Sequence, residues 1–142
     1  MSVATIENLD FYCVDYAQRV AGHLMQGDNR VPGEDVAQLV TRLLSILHEN
    51  GVYASLLYVV WKRYNGTKRE RRVATIVEDL LVGKPGEDSL LRLDALSFSL
   101  KDSADALAVG KTLSKNLEEL FLAKDILNRT LTYLRYHAKS GM

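Results

Sequence analysis

The sequence predicts an all-α protein, a single-domain bundle of five to seven helices. Three observations lead there. Apolar residues recur at every third or fourth position along most of the chain, and the strict alternation of a strand is nearly absent. The 142 residues match the usual length of one domain, and 47% of them are hydrophobic, enough to build a core. Both prolines and nearly all nine glycines stand between periodic runs, with Gly22 and Gly110 as the exceptions. Residues 1–142 are therefore read as one helical domain.

The first helix is expected from about Thr5 to Gln26, with Ile6, Leu9, Cys13, Tyr16, Val20 and Leu24 on one face. Gly27-Asp28-Asn29-Arg30 reads as a turn, and Pro32-Gly33 stops any continuation. A second helix begins near Glu34 and carries Val36, Leu39, Val40, Leu43, Leu44 and Leu47; Gly51 stands where a left-handed C-terminal cap belongs. The third, with Leu56, Leu57, Val59, Val60 and Trp61, is apolar on nearly every side and is expected to be the most buried element. Asn65-Gly66 ends it. Thr67 and Glu70 have capping-box spacing and start a fourth helix with Val73, Ile76, Val77, Leu80 and Leu81. Gly83-Lys84-Pro85-Gly86 breaks that helix. Between residues 88 and 110, Asp88 can cap a short helix through Leu96, and Asp102 or Ser103 another through Val109. The last helix is expected from about Lys111 to Lys139, with Leu113, Leu117, Leu120, Leu127, Leu131, Leu134 and Ala138 in its stripe.

Composition narrows the setting. The lone cysteine, Cys13, can form no internal disulfide, which fits a reducing compartment. No basic-then-apolar opening suggests a signal peptide, and no apolar run approaches the roughly 20 residues of a spanning helix. The expectation is a soluble, cytoplasmic protein without a membrane partner. Net charge is zero but unevenly placed: residues 1–61 carry −4, residues 62–72 carry +5, and the remainder −1. A neutral total argues against a free-standing nucleic-acid binder and suits a subunit with one basic edge.

Recognisable catalytic machinery is missing from the sequence, so no enzyme, cofactor or metal is expected. His23, His48 and His137 lack the spacing of a zinc-binding helix pair, and no phosphate loop, dinucleotide fingerprint or Gly-x-Ser-x-Gly elbow occurs. The carboxylate pairs Glu78-Asp79 and Glu118-Glu119 point about 100° apart on a helix, and are read as solvated faces. Arg42 and His48 stand six apart. That spacing resembles the loose signature of helical HEPN-type ribonucleases, where the arginine would stabilise phosphate and the histidine would move a proton. The competing reading is a surface arginine and a histidine placed favourably near a helix C-terminus.

The clearest functional signal is the basic segment. Lys62, Arg63, Lys68, Arg69, Arg71 and Arg72 face only Glu70, and Tyr64 sits among them. Such a cluster attracts phosphate backbones without reading bases, and a tyrosine can stack on a base. These seven residues are the candidate RNA-binding set. On the last helix Arg129, Tyr133 and Tyr136 lie opposite the leucine stripe and form a candidate protein interface.

Three segments carry a family resemblance. Leu44-Ser-Ile-Leu-His-Glu-Asn50-Gly51 is followed by Val52-Tyr-Ala-Ser-Leu-Leu-Tyr-Val-Val-Trp-Lys62: a helix ending in Asn-Gly, then a very apolar helix ending in lysine. Near the C-terminus Leu131-Thr-Tyr133-Leu134 leads into Arg135-Tyr136-His137-Ala138, and Tyr16-Ala17 lies in the first helix. The chain resembles the small helical subunit of the Cmr complex, the type III-B CRISPR effector; the type III-A small subunit would fit the same composition. The resemblance implies a non-catalytic protein of antiviral defence. Copies would stack as a minor filament beside the backbone and large subunits and line the channel where target RNA pairs with guide RNA. The basic cluster would then touch target phosphates or a neighbouring subunit. A helical adaptor protein is the alternative reading.

Overall fold

The computed structural model describes the backbone of residues 3–141 and the side chains of residues 8–141, so the expected place of Ile6 in the first stripe lies outside the described residues. The described residues form six α-helices and no strand, which is the expected all-α bundle. They are α1 (Val3–Met25), α2 (Gly33–Asn50), α3 (Val52–Asn65), α4 (Lys68–Val77), α5 (Ala106–Leu113) and α6 (Leu117–Lys139).

The core grows around α6, which packs most extensively on α1 and α2. Cys13, Tyr16, Val20 and Leu24 from α1, Val36, Val40, Leu43 and Leu47 from α2, and Ile126, Leu127, Leu131 and Leu134 from α6 are all buried. Each large side chain removed from water here stabilises the fold by about 1.5–3 kcal/mol. Burial pushes the Cys13 thiol above its usual range. The Tyr16 hydroxyl donates to Asp88, whose second carboxylate oxygen takes the Arg19 guanidinium at 3.0 Å, pinning the loop after α4 to α1.

The third helix departs from expectation. Only Val52, Ser55, Leu56 and Val59 of α3 are buried, along one face. Tyr53, Leu57, Trp61 and Tyr64 run down the opposite face and are exposed. Apolar residues all around a helix usually mean full burial, but here α5 meets this face only at Tyr53, and Leu57, Trp61 and Tyr64 stay exposed. Gly51, between α2 and α3, has φ +94 and ψ −173, a positive-φ backbone that glycine adopts without strain.

The fourth helix changes register at its end, where a single π-helical turn spans Glu78–Val82. The short helix expected after Asp88 is instead two 3-10 turns, Leu90–Arg92 and Asp94–Leu96, because Asp88 binds Tyr16 and Arg19 rather than capping. Arg92 organises this segment. Its guanidinium donates to the carbonyls of Val82, Gly83, Leu100 and Ser103 at 2.6–3.0 Å, so backbone groups at the end of the π turn and in the loops beyond it find partners in one side chain. The next cap is Asp105, not Asp102 or Ser103; its carboxylate accepts from the Ala108 N–H at 2.9 Å. The long last helix is broken. A turn at residues 114–116 separates α5 from α6, and Asn116 caps α6 by accepting from the Glu119 N–H at 3.1 Å. Gly110 lies inside α5 because an added Cβ would sit 3.0 Å from the Tyr53 ring and 3.3 Å from Leu56, a close approach of α5 to α3.

Candidate nucleic-acid interface

The junction of α3 and α4 sets the basic segment. Gly66 lets the chain turn, since a Cβ there would meet the Lys62 carbonyl oxygen at 2.7 Å. The capping box forms as the spacing predicts: the Glu70 N–H donates to Thr67 Oγ1 at 3.2 Å, and the Thr67 N–H donates to Glu70 Oε1 at 2.9 Å. Glu70 also accepts from Lys62 Nζ at 2.7 Å. The ammonium of Lys62 and the Thr67 N–H hold the Glu70 carboxyl below the usual carboxylate range.

The seven candidate residues divide. Lys62, 17% exposed, is held by Glu70 and lies against the Tyr58 and Trp61 rings, 5.8 and 5.1 Å from their centroids. Arg63, 24% exposed, turns inward to Glu78 at 3.1 Å and Asp79 at 3.2 Å. The Glu78-Asp79 pair is thus an anchor for Arg63, not the solvated face its sequence suggests. Burial pushes the Glu78 carboxyl above its usual range despite Arg63, and Oε1 of Glu78 is buried without a partner. Arg69 reaches Asp35 on α2 at 2.8 Å. Arg72 donates to the His23 carbonyl at 3.3 Å. Lys68 and Arg71 are exposed and make no ion pair among the described residues, and Tyr64 is 71% exposed.

Two clefts flank the outer face of α2. One, of about 660 Å³, lies between α2 and the α3–α4 junction and is lined by Arg42, Lys62, Lys68 and Arg69, with Asp35 and Glu70. The other, of about 930 Å³, lies between α2 and the end of α6 and is lined by Arg42, Arg135 and Lys139, with Glu34. Gln38 and Arg42 line both, so the two clefts adjoin along the outer face of α2 and are together termed the trough. Six cations line it against three acids, and two of those acids already hold Lys62 and Arg69. Arg42, Lys68, Arg135 and Lys139 make no ion pair among the described residues, and Nε of Arg135 is buried without a hydrogen-bond partner. Such a trough offers a phosphate chain several positive contacts and no base-specific geometry.

The other candidates fall elsewhere. Tyr133 donates to Asp10, and Arg129 lies 3.2 Å from Asp125 and 3.9 Å from Asp10, so both take part in the α1–α6 seam; Tyr136 points outward. Arg42 and His48 line separate depressions. His48 bonds Asn128 at 2.6 Å through Nε2, in a small hollow with Phe121 and Lys124. Among the described residues no three His, Cys, Asp or Glu side chains gather as a metal site. No described helix is long and apolar enough to cross a membrane.

Sequence reading missed the α6 side of the trough. Arg135 and Lys139 stand at i and i+4 with no charge run around them, and nothing in the chain says that the end of α6 meets the start of α2. The available signal was Gly33. An added Cβ there would lie 2.3 Å from the Ala138 carbonyl oxygen, so this glycine marks the point where the two helices close. No family model, curated protein or solved structure matches the chain.

Proposed function

We propose that this protein is an RNA-binding scaffold subunit that holds phosphates along the trough over α2 and works inside a larger assembly. One observation carries the reading: Arg42, Lys68, Arg135 and Lys139 of α2, α4 and α6 line the clefts over α2, and none of the four makes an ion pair among the described residues. Cations not paired within the fold are available to phosphate, and their release of condensed counterions on binding supplies sequence-independent affinity. The assembly comes from the resemblance to the small subunit of type III CRISPR effectors, type III-B before type III-A. In that setting the chain is cytoplasmic, serves antiviral defence, and carries no catalytic step of its own. It meets backbone subunits, the large subunit and further copies of itself, and it borders the target RNA/guide RNA duplex. The exposed Tyr136 leaves surface for such neighbours.

The test is charge reversal in the trough. Arg42→Glu with Lys68→Glu should weaken RNA binding about tenfold or more at low salt. It should also flatten the slope of log affinity against log salt by roughly 1.4, two contacts at about 0.7 each for single strands. Affinity and slope equal to wild type would overturn the phosphate reading. Coexpression with type III backbone subunits tests the assembly. A stoichiometric complex supports it, and failure to copurify removes the CRISPR setting.

A further inference from the structure

We infer that the trough takes unpaired RNA, with a base stacked on the exposed ring of Trp61; this rests on the phosphate reading above. Trp61 is 53% exposed although indole is among the side chains most strongly driven from water. It stands on the outer face of α3, in line with Leu57 one turn before it and Tyr64 one turn after. Its ring neighbours are the Tyr58 ring and the Lys62 ammonium. Lys62 Nζ lies 5.1 Å from the Trp61 ring centroid, and that same lysine lines the cleft that also holds Lys68, Arg69 and Arg42. The Tyr58 ring is 6.4 Å from Trp61, and Asn65 donates to the Trp61 carbonyl at 3.2 Å, which secures this last turn of α3. An exposed indole next to a residue that lines a cationic cleft gives the pairing that single-stranded recognition uses: cations follow the backbone while an aromatic face receives a base. A duplex keeps its bases stacked inside and leaves the indole without a partner. Tyr64 stands one turn further along as a second platform.

Trp61 is the only tryptophan in the chain, so its fluorescence reports this contact directly. Wild-type protein would be titrated at low salt with a 12-nucleotide oligouridylate and with a 12-base-pair RNA duplex. Saturable quenching by the single strand, well beyond that caused by the duplex, is the expected result. Trp61→Ala should weaken single-strand binding about tenfold, measured by anisotropy of a labelled oligonucleotide, while Trp61→Phe keeps most of the affinity. Trp61→Ala with unchanged single-strand affinity overturns the inference. So does equal quenching by duplex and single strand. If Arg42→Glu with Lys68→Glu still weakens binding in either case, the phosphate reading survives alone. If neither RNA binds wild-type protein, both fall.

Discussion

At the scale of single residues, charged side chains tie helices to one another and, at Asp88, hold the loop after α4. Tyr16, Arg19 and Asp88 form one such clasp. The hydrogen bond from Tyr16, then that from Arg19, holds the Asp88 carboxyl below its usual range. A depressed folded value means that the clasp stabilises the fold above the unfolded aspartate pKa of about 3.9. That contribution fades as pH falls through the folded value. Tyr16→Phe, which removes the first of these causes, should cost about 1 kcal/mol at pH 7. The gap between variant and wild type should narrow toward pH 3. Urea midpoints at the two pH values check this, and a gap that widens in acid would show that Asp88 is not the partner that matters. Arg63 works in the same way. A run of six cations invites the picture of a uniform basic surface, yet Lys62 and Arg63 hold the α3–α4 junction together through Glu70, Glu78 and Asp79. Sequence shows how many charges there are. It does not show which of them meet a carboxylate brought close by a turn.

At the scale of elements, the capping box at Thr67 and the turns at glycine were readable in advance; the caps at Asp105 and Asn116 and the helix environments were not. Thr67, Glu70 and Gly66 act where their spacing placed them, while Gly51 ends α2 with a positive φ but an extended ψ of −173 instead of the left-handed cap expected. The burial of α3 was misread because Leu57, Trp61 and Tyr53 look alike to a hydrophobic pattern whether or not another helix covers them. The break before α6 was missed because Leu113, Leu117 and Leu120 keep helical spacing across a turn that Asn116 caps. Gly33 shows what an element needs beyond periodicity. Its missing Cβ lets α2 start against the Ala138 carbonyl of α6, a backbone atom that cannot rotate away. Gly33→Ala should therefore destabilise by about 1–3 kcal/mol, the usual cost of overpacking, although alanine favours helices more than glycine does. Thermal denaturation decides between these effects, and a variant at least as stable as wild type would mean that the two helices can part freely. Because the same contact borders the cleft between α2 and α6, the variant should also bind RNA less well.

At the scale of the whole molecule, the trough couples recognition to stability. Its cations come from α2, α3, α4 and α6, which meet only in the folded bundle. The sequence reading found the α4 side, because those cations are adjacent in the chain. It could not find the α6 side, which depends on how distant segments pack. A ligand that binds only the assembled trough must stabilise the entire fold by mass action. At a free RNA concentration one hundred times Kd the gain is about 2.7 kcal/mol. For a domain of this length that corresponds to a rise in Tm of roughly 8 °C. The rise should shrink as salt is added, because each phosphate contact releases counterions. It should nearly vanish in Arg42→Glu with Lys68→Glu at the same RNA concentration. A pure basic tail would behave differently, binding RNA with the same salt dependence and leaving Tm almost unchanged. Differential scanning fluorimetry with and without oligouridylate separates the two cases. A salt-sensitive rise in Tm places the binding cations on the folded trough. Tight binding without such a rise would place them on a segment that needs no fold.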